Sequence, residues 1–128
     1  MSGRALALAV VALAACGGSK AGTGGGDDAV VAAWKAAKLD VSALTTVDPK
    51  PYSATACRGG TVSGVDVVLC RYGSGEDAHA AEELGLAAVG DVTGAALAHG
   101  TQLLVIADRR KADPSGRTVQ AIARAFKK

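Results

Sequence analysis

Cys57-Arg58-Gly59-Gly60-Thr61-Val62-Ser63-Gly64-Val65-Asp66-Val67-Val68-Leu69-Cys70 is the stretch that decides the fold. Ser63-Gly64 lies at its midpoint, and glycine suits a two-residue hairpin loop. With the turn there, Val62 faces Val65, Thr61 faces Asp66, and Cys57 faces Cys70. Val65, Val67 and Leu69 alternate onto one face of the second strand, with Asp66, Val68 and Cys70 on the other. Directly opposed residues of a non-hydrogen-bonded antiparallel pair have Cα atoms about 4.5 Å apart, within disulfide range.

The elements around this hairpin follow from periodicity. Upstream, Asp27-Asp28 reads as a helix start, and Val30, Ala33, Trp34 and Ala37 fall on one helical face. That helix is expected to end between Lys38 and Asp40, before the extended connector Asp48-Pro49-Lys50-Pro51. Downstream, Ser74-Gly75-Glu76-Asp77 is a capping signature for a helix over 76–88, with Ala78, Ala81, Leu84 and Ala88 available for burial. A second hairpin joins 94–98 to 102–107 through a turn at His99-Gly100. Leu103-Leu104-Val105-Ile106-Ala107 is apolar on both faces and reads as a central strand. Asp113-Pro114 starts a last helix with Val119, Ile122, Ala123 and Phe126 on one stripe. The order α-β-β-α-β-β-α predicts a two-layer α+β domain: a four-stranded, mainly antiparallel sheet with helices on one face.

The N-terminus has a different character. Met1-Ser2-Gly3-Arg4 is a short positive segment, followed by eleven apolar residues from Ala5 to Ala15. As a helix these span about 16 Å, roughly half of the ~30 Å hydrocarbon core of a bilayer. That length fits the apolar region of a signal peptide rather than a transmembrane helix. The segment ends Leu13-Ala14-Ala15-Cys16-Gly17, which resembles the lipobox of bacterial lipoproteins. The resemblance covers the first seventeen residues. It implies a signal peptide over 1–15, cleavage between Ala15 and Cys16, a diacylglyceryl group on the Cys16 thiol, and a further acyl chain, such as palmitate, on the new terminus. The alternative is an ordinary secretory signal whose cleavage site contains a cysteine. Two or three acyl chains would hold the chain at a membrane stably, where one binds only marginally. Gly17, in place of an Asp inner-membrane retention signal, leans towards an outer membrane where the cell has one. Residues 17–26 are mostly glycine and read as a flexible linker with a reach of about 17 Å, leaving 27–128 as a single globular domain.

The resemblance places the domain outside the cytoplasm, where disulfides persist. With Cys16 taken by lipid, Cys57 and Cys70 are the remaining two of three cysteines. The hairpin arithmetic pairs them as a structural bridge. The alternatives are two buried free thiols, or a redox dithiol lacking the C-x-x-C spacing.

Composition narrows the function. Aromatics make up 3% of the chain, namely Trp34, Tyr52, Tyr72 and Phe126, and the formal net charge is +2. Neither supports nucleic-acid binding. No G-x-G-x-x-G or Walker motif is present, so no nucleotide cofactor is implied. His79, Glu82 and Glu83 sit at i, i+3 and i+4 and carry metal-ligating atoms, with His99 a further candidate. The second helical histidine of zinc-protease motifs is missing, and a solvated helix face explains the same residues. Thr93, Ser63 and Ser115 have turn or strand explanations, so no nucleophile and base are paired. The strongest bias is basic: seven Lys and Arg over residues 108–128 stand against Asp108 and Asp113. Among them, Arg109, Arg110, Lys111 and Arg124 are candidate contacts to anionic lipid, glycan or a partner; a solvated turn and helix end, with Lys127 and Lys128 at the helix C-terminus, explains the same residues. The reading best supported is a lipid-anchored, extracytoplasmic envelope protein that binds an envelope protein or polymer without catalysis. A small-ligand or metal-binding sensor comes second, and an enzyme third.

Overall fold

The computed structural model describes the backbone of residues 18–128, with side chains from Gly26 onward. The signal segment expected over 1–15, and Cys16 itself, lie outside the described residues. The chain forms α1 (Gly18–Ala36), β1 (Thr45–Val47), a 3-10 turn (Lys50–Tyr52), β2 (Ala56–Val62), β3 (Val65–Arg71), α2 (Gly75–Ala80), α3 (Glu82–Val89), β4 (Gly94–His99), β5 (Gln102–Ala107) and α4 (Arg117–Phe126). The five strands make one antiparallel sheet in the order β1-β2-β3-β5-β4. The expected α+β class and antiparallel pairing hold, but the sheet has five strands rather than four.

The central hairpin has the expected register. Val62 pairs with Val65, Thr61 with Asp66 and Cys57 with Cys70, around the turn Ser63-Gly64. Cys57 and Cys70 form a disulfide with Cα atoms 4.1 Å apart. Both cysteines are buried.

Helices cover both faces of the sheet, not one. Val67 and Leu69 of β3 and Leu104 and Ile106 of β5 pack in one core with Val30 and Trp34 of α1 and Val119, Ile122 and Phe126 of α4. Cys57, Cys70, Leu103 and Val105 point the other way, into a second core with Tyr52, Tyr72, Ala78, Ala81 and Val89. The reason lies in β5: a strand apolar on both faces leaves one of them wet unless each is covered. The α2 and α3 segments are separated by Ala81 and supply that second cover. Ser74 caps α2, its hydroxyl oxygen accepting the Asp77 N–H at 3.1 Å. Leu84 does not join the core; it is 40% exposed, and Leu86 is 52% exposed.

Three further details differ from expectation. Strand β1 is three residues long and largely exposed, too short for a periodic signal. The second hairpin turns at Gly100-Thr101, with His99 paired to Gln102 in the strand. Gly100 takes the positive φ of 62° without the Cβ clash that a histidine would incur. Finally, α1 begins at Gly18, so the glycine-rich stretch read as a linker has helical backbone from that residue on. Extending a helix that tertiary packing already holds costs far less than starting one. Asp27 is therefore inside the helix rather than capping it, and its carboxylate is used elsewhere. At its other end α1 stops where Lys38 adopts a φ of 69°, and the Leu39 N–H donates to the Trp34 carbonyl at 3.0 Å.

Candidate functional site

The two ends of the sheet are chemically distinct. At one end lie the Ser63-Gly64 turn and the close of β5, where Asp66 pairs with Ala107. At the other lie Ala56, Arg71, Gln102 and His99. Helix α1 passes the second end at Gly26, where an added Cβ would lie 3.3 Å from Gln102 Nε2. It finishes at the first, where Asp40 and Ser63 exchange hydrogen bonds. Helix α4 runs the opposite way, so Phe126 meets His99 edge-on with ring centroids 5.9 Å apart.

Residues 108–116 form a loop at the first end, and two buried carboxylates organise it. Asp108 and Asp113 are 4% and 5% exposed. Asp108 accepts the backbone N–H groups of Ala112 at 2.8 Å and of Asp113 at 2.9 Å. Asp113 accepts the Val119 N–H at 2.8 Å and the Ser115 hydroxyl at 3.4 Å. Charge-assisted bonds of this kind are the strong members of their class. Burial alone would raise the Asp113 carboxyl, but bonds from the Val119, Thr118 and Arg117 backbone and from Ser115 hold it below its ordinary value of 3.8. Placed before the first turn of α4, the carboxylate also meets the positive end of the helix dipole.

The loop presents three consecutive cations. Arg109 donates to the Ala88 carbonyl at 2.6 Å. Arg110 faces Asp66 across 3.4 Å. Lys111 stands in the left-handed region at φ 57° and lines a cleft of about 490 Å³ together with residues 91–93, Asp108, Asp113 and Pro114. All three basic side chains belong to exposed residues. Arg124 is not among them: it occupies the last turn of α4, towards the His99 end. The four expected anionic-surface contacts thus divide between opposite ends of the domain.

The metal candidates are not gathered either. His79 Nδ1 lies 3.4 Å from Glu82 Oε1, while Glu82 Oε2 accepts the Ala98 N–H at 2.8 Å. Glu82 therefore satisfies a donor on the outer edge of β4, which edge strands otherwise leave open. Glu83 is exposed. His99 shares a face of β4 with Ala95 and Leu97, which pack against the α1–α4 core, whereas His79 is on α2, over the other face. No group of three or more His, Cys, Asp or Glu able to hold a metal occurs among the described residues.

Two polar clusters had no signal in the sequence. One is the Asp108 anchor, whose partners are backbone groups of an irregular loop. The other joins Asp27, 4% exposed, to Gln102 Nε2 at 3.1 Å and to Arg58 at 3.5 Å. For Asp113 the Asp-Pro pair gave a partial signal: it pointed to a nearby helix start, although α4 begins at Arg117 with Gly116 at its N-cap.

Among the described residues, fold and site together define an α+β domain with a buried disulfide and an ordered basic turn at one end of its sheet. No family model, curated protein or solved structure matches the chain. No helix among the described residues is long and apolar enough to cross a membrane.

Proposed function

We propose that this protein is a lipid-anchored module of the bacterial cell envelope, held through Cys16, that binds an anionic partner through Arg109, Arg110 and Lys111. The anchoring half of this reading rests on the lipobox-like Leu13-Ala14-Ala15-Cys16. The observation that carries the binding half is the 108–116 loop, whose carboxylates Asp108 and Asp113 are spent on backbone donors. Such a loop presents its cations in a fixed geometry, which lowers the ordering cost of binding.

Placement supports the same division of labour. The chain leading back to Cys16 leaves from the His99 end, and the basic turn lies beyond six-residue strands, roughly 20 Å away. The turn then faces out from the anchoring bilayer. With α1 helical from Gly18, the first described residue stands about 12 Å beyond Gly26, a shorter and stiffer stand-off than a coil linker.

The test is retention of the full chain on an immobilised phosphodiester polymer such as polyglycerol phosphate, across a salt series. Binding should weaken steeply with salt and fall at least tenfold in Arg109→Glu/Arg110→Glu. Retention that ignores salt, or survives the charge reversal, rejects the binding half. A second reading, a sensor of small ligands, is favoured by the 490 Å³ cleft beside Lys111; ligand-induced thermal stabilisation lost in Lys111→Ala would support it.

A further inference from the structure

A second, smaller cleft of about 230 Å³ opens between α1 and α4 at the His99 end. Its walls are apolar, formed by Ala29, Val30 and Ala33 of α1 and Ala125 and Phe126 of α4. Its polar lining is His99, Gln102 and Lys128, with no Asp or Glu among the lining residues. The nearby Asp27 carboxylate is already engaged by Gln102 and Arg58. Lys127 and Lys128 are exposed and follow the last turn of α4, and Arg124 is exposed within it. Gly26 belongs to the cleft as well, and α1 continues past it to Gly18, in the direction of Cys16.

We infer that this cleft seats part of an acyl chain of an anionic phospholipid from the anchoring bilayer, with the phosphate at Lys128 and Lys127. The inference rests on the proposed anchor, which would bring this end of the domain to the membrane. Three observations select the occupant. The walls are apolar and narrow, as an aliphatic chain requires. The rim carries the Lys127 and Lys128 ammonium groups with no Asp or Glu side chain in the lining, as an anionic head group requires. Helix α1 leads on from it towards Cys16, so the anchor raises the local lipid concentration without any new contact. The effect would be to orient the domain, keeping Arg109, Arg110 and Lys111 away from the bilayer.

The chain has one tryptophan, and it reports on this cleft. Trp34 follows Ala33 of the cleft wall and donates its indole N–H to the Ile122 carbonyl at 3.0 Å, one helical turn before Phe126. The experiment mixes the full chain with vesicles of phosphatidylglycerol brominated along its acyl chains, bromine being a contact quencher. Trp34 emission should fall at least twofold relative to unbrominated phosphatidylglycerol. Brominated phosphatidylcholine should quench much less, and Lys128→Glu and Ala29→Phe should each restore most of the emission. Lys128 is exposed, so its reversal leaves the packing intact even if Ala29→Phe perturbs it. Equal emission with and without bromine overturns the inference, as does quenching indifferent to head-group charge and to Lys128→Glu. Vesicle flotation and the mass of Cys16 report the anchor separately. A chain that floats unquenched overturns the cleft and leaves the anchor; a chain quenched with an unmodified Cys16 overturns the anchor and leaves the cleft.

Discussion

Replacing Asp108 with alanine tests whether buried carboxylates hold the basic turn in place. The substitution removes two charge-assisted bonds, to the Ala112 and Asp113 N–H groups at 2.8 and 2.9 Å. The Asp113 donor is buried, and leaving such a group unpaired costs about 1–3 kcal/mol. The Ala112 donor is partly buried and can recover water, so its loss costs about 1 kcal/mol. The sum is about 3 kcal/mol, a large share of the 5–15 kcal/mol typical of a domain. Asp108→Asn retains one acceptor oxygen and should lose about half as much. Urea unfolding followed by Trp34 emission reads this directly, because Trp34 is fully buried in the α1–α4 core. Retention on the anionic polymer should fall in Asp108→Ala even under conditions where the domain stays folded, since the turn is no longer pinned. A loss below 1 kcal/mol, or a stability loss with unchanged retention, would refute the reasoning.

Other consequences follow from single contacts. Closing about fourteen residues, the Cys57–Cys70 bridge should contribute about 3 kcal/mol, so Cys57→Ala/Cys70→Ala should lower the urea midpoint accordingly; an unchanged midpoint contradicts a structural role. Asp113 titrates below its ordinary carboxyl value, so its contribution is present above the unfolded value and is lost as pH falls through the folded one. Stability should therefore decline below about pH 4, and Asp113→Asn should flatten that part of the profile; parallel profiles would argue otherwise. A Cβ at Gly60 would lie 2.6 Å from Ser42 Oγ and 2.9 Å from the Ala43 carbonyl, so Gly60→Ala should displace the chain leading into β1 at a cost of about 1–3 kcal/mol, visible as faster amide exchange at Thr45 and Thr46 with the central hairpin still protected.

What could be read from the sequence, and what could not, divides along physical lines. The hairpin register was legible because turn chemistry at Ser63-Gly64 and the cysteine spacing point to one pairing. The Ser74 cap was legible because its partner is three residues away. Leu103 to Ala107 reads as a strand apolar on both faces, but the pattern alone does not say which segments supply the second helical layer it demands. Strand β1 escaped because three exposed residues have no period; its position depends on the narrow passage over Gly60, which only the folded chain reveals. The separation of Arg124 from Arg109, Arg110 and Lys111 follows from the antiparallel course of α4, a tertiary fact that charge counting along the chain misses. Asp27 looked like a helix cap, and its actual partners are 31 and 75 residues away.

The proposed anchor is the claim on which the orientation of the whole domain depends, and the intact mass of the protein extracted from cell envelopes tests it most directly. The account predicts a mature chain that begins at Cys16 and carries the mass of a diacylglyceryl group, with or without a further acyl chain, and a Cys16→Ser chain that carries neither. A membrane-extracted protein whose Cys16 is unmodified would contradict it.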